Sequence, residues 1–161
     1  IKPANILINK DDKIKILDFG IAKQISGKKK SGKELFKTEA KEVQIGTAHY
    51  MSPEQITVLD LSIATDIYSI GITFFEILSG RLPFEGSADQ VKKNHIFDSP
   101  PDPRDFYPDI PNHVVNAILK SLSKDSNDRQ QNCKEFLKEL TKNLWKQLMI
   151  LNILEKNLIF F

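Results

Sequence analysis

Three side chains near the start of the chain, Lys2, Asn5 and Asp18, have the chemistry needed to hold a magnesium and phosphate complex. The amide oxygen of Asn5 and the carboxylate of Asp18 are hard oxygen ligands of the kind that magnesium binds. Lys2 carries a compact positive charge that suits phosphate. These side chains act together only if the fold brings them to one place, and the residues between them predict such a fold.

The residues between Asn5 and Asp18 predict a short β-hairpin. Residues 6–8 and 13–17 have the composition of strands, and residues 9–12 between them have the composition of a turn. A hairpin with so short a loop brings its two outer ends together. We therefore expect Asn5 and Asp18 to meet.

Lys2-Pro3-Ala4-Asn5 and Asp18-Phe19-Gly20 resemble, at this spacing, the catalytic loop and the metal-binding loop of protein kinases. The family signature reads H-R-D-L-x-x-x-N and then D-F-G. Either motif alone is common in turns, whereas the pair is far more specific. Ile1 matches the Leu of the signature, so the resemblance places the catalytic Asp immediately before Ile1. We therefore expect a fragment that lacks its general base and is inactive by itself.

The resemblance implies ATP and Mg2+ as cofactors and gives these residues roles. Asp18 would hold the magnesium that bridges the phosphates, and Asn5 would hold the second magnesium. Lys2 would steady the transferred phosphoryl group, and Leu7 would form the floor beneath the adenine. The structural residues of the metal-binding loop are Phe19 and Gly20.

Residues 21–45 hold seven lysines, three glutamates and two glycines with weak periodicity, which is typical of an exposed and mobile basic loop. By resemblance this is the activation segment, where added phosphate would pair with cationic groups and order the loop. The candidate hydroxyls are Thr38, Ser31 and Ser26, and we favour Thr38 because it lies nearest the far anchor. A solvated charge run is the alternative, and a surface for nucleic acid or acidic lipid is a weaker one.

Gly46 to Gln55 resembles the end of the activation segment, with Ser52-Pro53-Glu54 where the family has A-P-E. In the family, Thr47 would bond Lys2 and align it with the substrate hydroxyl, and the following residues would form a shelf for the peptide substrate. Lys2 and Thr47 together favour serine/threonine over tyrosine specificity. We interpret His49 as a packing or hydrogen-bonding residue rather than a base.

Residues 65–80 predict a helix that is buried on nearly all sides, because apolar residues occupy most of its faces. Thr65 or Asp66 is expected to cap its start, and Gly80 is expected to end it. The resemblance gives Asp66 a further role beneath the catalytic loop. It also pairs Glu54 with Arg129, which by itself would be interpreted as a surface residue.

The rest of the chain predicts shorter helices around a proline-rich loop at 99–111. A short helix is expected from Ala88 to Asn94, another from about Asn112, and a third from about Asn132, with Glu135 as its capping-box partner. Cys133 falls in the apolar register of the third helix, which predicts a small buried side chain.

The length of 161 residues and the 40% of hydrophobic residues suit one domain with a core, and the net charge of +2 gives no reason to expect a nucleic-acid partner. The expected fold class is mainly α with a small β-hairpin, the larger C-terminal lobe of a protein kinase. We expect a partial kinase domain at 1–142 and an apolar extension of unknown role at 143–161. No apolar run approaches the roughly 20 residues of a membrane span.

The resemblance implies a parent serine/threonine protein kinase of the eukaryotic-like bacterial type, which transfers the γ-phosphoryl group of ATP to Ser or Thr hydroxyls of protein substrates. It implies a missing N-terminal lobe as a partner and a cytoplasmic kinase domain, and it leaves open a membrane anchor beyond the fragment. A pseudokinase scaffold and a small-molecule phosphotransferase are the alternatives. Asn5 and Asp18 argue against the first, and Thr47 and Glu54 argue against the second.

Overall fold

The protein is mainly helical, with one small sheet, in a computed structural model that describes residues 1–11, 13–17 and 48–142. These residues contain a two-stranded antiparallel sheet, five α-helices and three short 3-10 helices. The predicted fold class, mainly α with a β-hairpin region, is confirmed.

The hairpin consists of β1 (Ile6–Ile8) and β2 (Ile14–Ile16), with Ile6 opposite Ile16 and Leu7 opposite Lys15. The side-chain oxygen of Asn9 closes the turn by accepting hydrogen bonds from the N–H groups of Asp11 at 3.0 Å and Lys13 at 2.8 Å. Asn is favoured in turns because its short side chain can bond the following backbone in this way. The turn therefore forms where the sequence predicts it.

Five α-helices follow in the second described part of the chain. They are α1 (Pro53–Ile56), α2 (Ile63–Ser79), α3 (Ala88–Phe97), α4 (Asn112–Ser121) and α5 (Cys133–Leu140). The 3-10 helices are Pro3–Asn5, Pro103–Asp105 and Ser126–Asp128. No helix within residues 1–11, 13–17 and 48–142 combines the length and the hydropathy that crossing a membrane requires.

Helix α2 begins earlier than its sequence pattern suggests, so the expected capping by Thr65 or Asp66 is wrong. Ser62 is the N-cap: its hydroxyl accepts from the Ala64 N–H at 3.2 Å, and the Thr65 hydroxyl accepts from the Ser62 N–H at 3.1 Å. This reciprocal pair satisfies two N–H groups that the first turn leaves unbonded. At the other end the prediction holds, because Gly80 takes the left-handed conformation with φ of 73°.

The core forms around α2. Its side chains Tyr68, Ile72 and Phe75 are fully buried against Ile118 and Leu122 near the end of α4. A second cluster joins Ile67 of α2 to Ala117 of α4 and Phe136 of α5. Burial on nearly all sides holds for residues 67–75 in the middle of α2, whereas Ile63 in its first turn is 50% exposed and Ile77 in its last turn is 60% exposed.

The later helices form close to their predicted bounds. Helix α3 extends three residues beyond Asn94, and α4 begins at Asn112. Asn132 caps α5 by accepting from the Glu135 N–H at 3.0 Å, but the Glu135 carboxylate returns to the N–H of Gln131 rather than to that of Asn132.

The predicted burial of Cys133 is wrong, because its side chain is exposed. Helix α5 contacts the second core cluster chiefly through Phe136, which is buried, with Leu140 packed against the same cluster. Leu137 is 59% exposed, so the inward face of the helix is narrower than its apolar pattern.

Gly71 of α2 faces Ser121 and Leu122 at the end of α4. A Cβ atom at this position would overlap the hydroxyl oxygen of Ser121 and lie 3.0 Å from Cδ2 of Leu122. We predict that Gly71→Ala lowers the free energy of unfolding by about 1–3 kcal/mol through overpacking, although Ala favours a helix interior over Gly by about 1 kcal/mol. Urea denaturation followed by circular dichroism measures the change.

A second substitution isolates the cause. Ser121→Ala removes the oxygen that the new Cβ would meet, so adding it to Gly71→Ala is expected to recover part of the lost stability. An unchanged or higher stability of the single Gly71→Ala variant would contradict the close approach of the two helices.

Candidate functional site

The open end of the hairpin places Asn5 beside the residue that precedes Asp18. The Leu17 N–H donates to the carbonyl of Asn5 at 2.7 Å, and the Asn5 N–H donates to the carbonyl of Lys2 at 2.9 Å. Within residues 1–11, 13–17 and 48–142, the side-chain amide of Asn5 makes no hydrogen bond. The backbone bonds therefore hold Asn5 beside Leu17, which directly precedes Asp18 in the sequence.

The donor chemistry at this end of the hairpin fits a hard divalent cation. The amide oxygen of Asn5 is a type of donor that magnesium accepts, and the sequence adds the carboxylate of Asp18 one residue beyond Leu17. In the described part of the chain, no three His, Cys, Asp or Glu side chains group together as a metal site would need. Leu7 is 52% exposed on β1, so it presents apolar surface near the same end.

Several predicted site residues lie outside the described residues. They are Asp18, Phe19, Gly20, Thr38 and Thr47, and the same holds for Ser26, Ser31 and the extension at 143–161. The roles assigned to them stay predictions.

Ser52-Pro53-Glu54 forms a capped start for α1. The Ser52 hydroxyl accepts from the Gln55 N–H at 3.3 Å, and the Gln55 side-chain oxygen accepts from the Ser52 N–H at 2.9 Å. The Ser that stands where the resembled pattern has Ala therefore has a local reason, because Ser is a preferred N-cap. This short helix fixes the direction in which Glu54 leaves the backbone.

The expected pairing of Glu54 with Arg129 is present and is buried. Arg129 donates from Nη1 to Oε1 of Glu54 at 2.7 Å and from Nη2 to Oε2 at 3.0 Å, in a two-bond arrangement. The Glu54 side chain is 8% exposed, and the Arg129 side chain is 0% exposed. The Thr65 hydroxyl also donates to Oε1 at 2.9 Å. Arg129 is therefore an interior residue and not the surface residue that its local sequence suggests.

The remaining donors of Arg129 bind backbone carbonyls. They reach Ser123 at 2.7 Å, Lys124 at 2.9 Å and Ala64 at 3.0 Å, and the guanidinium carbon lies 4.8 Å from the centre of the Tyr68 ring. A buried charge is tolerated when its polar atoms are bonded in this way. Arg129 thus joins three segments of the lobe.

The pKa of Glu54 is lower than that of a free glutamate. Burial by itself raises the pKa of Glu54, but the hydrogen bonds from Arg129, from its own backbone and from Thr65 outweigh burial. The carboxylate therefore stays charged at neutral pH. Because its folded pKa is depressed, the stability it contributes is present above its unfolded pKa and is lost as the pH falls through the folded value.

A second buried polar cluster surrounds His95 of α3. The Tyr68 hydroxyl lies 2.8 Å from Nδ1 of His95, and the Phe84 ring lies edge-on with its centroid 5.1 Å from the His95 ring. The Lys124 ammonium donates to the carbonyl of His95 at 2.8 Å and lies 4.8 Å from the centre of the Phe84 ring. Tyr68 therefore contacts both the Arg129 guanidinium and His95.

Burial lowers the pKa of His95 to about 4, and the positive charge of Lys124 acts in the same direction, while the backbone of His49 opposes it. Burial also lowers the pKa of Lys124 to about 8, with Asp98 opposing the shift. His95 is therefore neutral at physiological pH, and it acts as a packing and hydrogen-bonding residue of the core.

The contacts of Tyr50 were not predicted from the sequence. Its hydroxyl donates to Oε2 of Glu76 at 2.6 Å, and its carbonyl accepts from the Ser69 hydroxyl at 2.8 Å. Burial and the Glu76 carboxylate both raise the pKa of Tyr50, so its hydroxyl keeps its proton. The available signal was the polar character of Ser69 and Glu76 in a largely apolar helix.

Asp66 is exposed in the first turn of α2. A carboxylate there is favourable because the helix N-terminus carries partial positive charge. The expected role of Asp66 beneath the catalytic loop is not tested by the described contacts and stays a prediction.

The comparison with known families identifies the protein family to which this chain belongs. The family model of the protein kinase domain matches residues 1–156. The chain belongs to the protein kinase domain family. Members of this family generally use ATP and a divalent metal, which agrees with the donor chemistry at Asn5.

Bacterial serine/threonine-protein kinases are among the relatives of this kinase chain. A probable serine/threonine-protein kinase of Clostridium acetobutylicum is 38% identical over 142 residues, which cover 88% of the chain and 20% of the relative. PknB of Mycolicibacterium smegmatis is 35% identical, covering 87% of the chain and 22% of the relative. PrkC of Bacillus subtilis is 38% identical, covering 84% of the chain and 20% of the relative. The chain thus spans about a fifth of the length of these relatives.

A solved kinase structure has the same fold as this chain. The twitchin kinase region of C. elegans matches with a TM-score of 0.69 and 25% identity, over 88% of the chain and 24% of that structure. The predicted protein-kinase-like lobe is confirmed by this match together with the family assignment.

The kinase lobe should lose stability when the ion pair is broken from one side. We predict that Arg129→Met lowers the free energy of unfolding by about 3–5 kcal/mol, because the buried Glu54 carboxylate would be left without its partner. Chemical denaturation of native and variant proteins measures the loss.

A second substitution tests the same pairing by the sign of the change in the free energy of unfolding that it causes. Glu54→Gln is expected to destabilise the native protein and to stabilise the Arg129→Met variant, since in the variant it removes an uncompensated buried charge. The same sign in both backgrounds would contradict the pairing.

His95 should make stability depend on pH. The unfolded chain takes up a proton on this side chain near the ordinary pKa of about 6.5, whereas the folded protein does so only near pH 4. The folded pKa is depressed, so the stability contributed by neutral His95 is present above about pH 6.5 and is lost as the pH falls from there towards 4.

The His95→Gln variant, which cannot titrate at this position, separates this effect from the carboxylates. Its free energy of unfolding should fall less steeply between pH 6.5 and 4.5 than that of the native protein, by up to about 1.4 kcal/mol per pH unit. Parallel pH profiles of the two proteins would show that His95 is not the responsible group.

Proposed function

We propose that the natural protein containing this chain is a serine/threonine protein kinase, which transfers the γ-phosphoryl group of ATP to Ser or Thr hydroxyls of protein substrates. The observation that carries the proposal is the buried pair of Glu54 and Arg129 in a chain of the protein kinase family. The pair anchors the segment that follows Thr47. In protein kinases, this segment contacts the peptide substrate. The relatives named serine/threonine-protein kinases support the same class of substrate.

Phosphoryl transfer depends chiefly on positioning and on neutralising charge. Asn5 and Asp18 would hold magnesium, which when bound neutralises the phosphate oxygens. Lys2 would steady the group in transfer, and Thr47 would align Lys2 with the substrate hydroxyl. The open hairpin end supports this assignment, because the bond between Leu17 and Asn5 brings the two strand ends together.

The hairpin also supports the N-terminal lobe of a kinase as its neighbour. Ile8 and Ile14 are each 66% exposed, and Leu7 is 52% exposed. Exposed apolar side chains grouped on one small sheet favour burial against another part of a protein. Leu7 would then face the adenine of ATP. The kinase domain would work in the cytoplasm, where ATP is present.

The activity is tested in the natural protein with radiolabelled ATP, magnesium and a generic basic protein substrate. We predict that Asp18→Ala lowers phosphate incorporation by at least about 100-fold, because it removes a charged ligand that positions the phosphates. Asp11→Ala is the matched control, since Asp11 is an exposed carboxylate in the hairpin turn and should leave incorporation unchanged.

Mapping the label then tests Thr38 as a regulatory site, with Ser31 as the alternative. A native protein that neither incorporates phosphate nor binds ATP would overturn the proposed activity and favour an interaction scaffold. Equal incorporation by the Asp18→Ala and native proteins would overturn the role of Asp18 alone.

A further inference from the structure

The Ser and Thr hydroxyl groups of α2 divide into two kinds by the carbonyl or carboxylate to which they donate. Thr73 donates to the carbonyl of Ser69 at 2.9 Å, and Ser79 donates to the carbonyl of Phe75 at 2.7 Å. Each bond runs to the carbonyl four residues earlier in the same helix, as is common for Ser and Thr within helices. These hydroxyls therefore serve the helix itself.

Ser69 differs, because its shorter bond leaves the helix. The corresponding carbonyl in its own helix, that of Thr65, lies 3.4 Å away, whereas the carbonyl of Tyr50 lies 2.8 Å away. A hydroxyl has one proton to donate, and the shorter distance is the better hydrogen bond. Ser69 thus connects α2 to the segment that precedes α1.

Ser69 belongs to a row of three polar side chains on one face of α2, which we call the polar stripe: Thr65, Ser69 and Glu76. Their positions lie within about 40° of one another around the helix, since each residue turns by about 100°. Every member contacts the segment 50–54. Thr65 donates to Glu54, Ser69 donates to the carbonyl of Tyr50, and Glu76 accepts from the Tyr50 hydroxyl.

The contacts of the polar stripe fix Tyr50 at both ends. The hydroxyl is bound by Glu76, the carbonyl is bound by Ser69, and the ring packs against the core cluster that contains Tyr68 and Phe75. Ser69 is 4% exposed, so water cannot readily replace its hydrogen bond. Without the Ser69 hydroxyl, the Tyr50 carbonyl would lose the donor that sets the path of the backbone here.

We propose that Ser69 is a positioning residue, whose hydroxyl holds the backbone of residues 48–51 in the path needed to receive a protein substrate. The substrate part of this proposal rests on the proposed kinase function, because only that function makes residues 48–51 a substrate shelf. The anchoring part rests on the contact between Ser69 and Tyr50 alone.

The test compares two variants that each delete one buried hydroxyl and little else. Ser69→Ala removes the bond to Tyr50, whereas Thr73→Val removes a bond that stays within α2. Ser69 and Thr73 are 4% and 2% exposed, one turn apart on the same helix. Any general loss of helix stability should therefore affect both variants alike.

Two readouts are measured on the natural protein. The first is amide hydrogen exchange of a peptide spanning residues 48–52, which needs no activity. The second is the KM for a protein substrate beside the KM for ATP. Ser69→Ala is expected to speed exchange of this peptide and to raise the KM for the protein substrate, each by about 3- to 10-fold, with the KM for ATP unchanged. Thr73→Val should change none of these.

Equal exchange of residues 48–52 in the two variants and in the native protein would overturn the anchoring. Faster exchange in Ser69→Ala with an unchanged KM for the protein substrate would overturn the positioning role while leaving the anchor. A native protein without kinase activity would overturn the proposed function and with it the substrate role, and the exchange measurement would still decide whether Ser69 anchors this segment.

Discussion

The buried ion pair between Glu54 and Arg129 is the interaction on which the arrangement of this lobe depends. Two charges removed from water are stable only when each polar atom finds a partner. Here Glu54 accepts from Arg129 and Thr65, and Arg129 also reaches three backbone carbonyls. The positions of α1, of the start of α2 and of the loop before α5 are therefore coupled, because a shift of any one would leave part of a buried charge unbonded.

Helix α2 satisfies two demands at once. Its apolar side chains, among them Ile72 and Phe75, form the core with α4, and its polar stripe binds the segment 50–54. Tyr68 links the two polar clusters, since its ring lies under the Arg129 guanidinium and its hydroxyl meets His95. The same helix thus holds the core together and binds the segment 50–54.

The hairpin differs from the helical part in the solvent exposure of its apolar side chains. Ile8 and Ile14 are largely exposed, whereas the apolar side chains at the centre of α2 are fully buried. The hydrogen bond between Leu17 and Asn5 nevertheless holds the open end together, and that end is where the metal ligands belong in the proposed mechanism. In the proposed function, these exposed apolar side chains would pack against the N-terminal lobe of the kinase.

Local sequence determined the elements that depend on neighbouring residues. The turn at Asn9 and the end of α2 at Gly80 both follow from short-range chemistry. The pairing of Glu54 with Arg129 was predicted by family resemblance only, because no periodic pattern relates residues that are 75 positions apart.

Only the tertiary structure decided which side chains found distant partners. His95 lies in a largely polar helix, and its burial comes from Tyr68 and Phe84, which the chain brings from elsewhere. Ser69 could have donated to the Thr65 carbonyl of its own helix, but the Tyr50 carbonyl lies closer and accepts the shorter hydrogen bond. Cys133 follows the apolar pattern of α5 and is exposed all the same. Periodicity shows which residues share a face, whereas the width of the contact on that face is set by the surface packed against it.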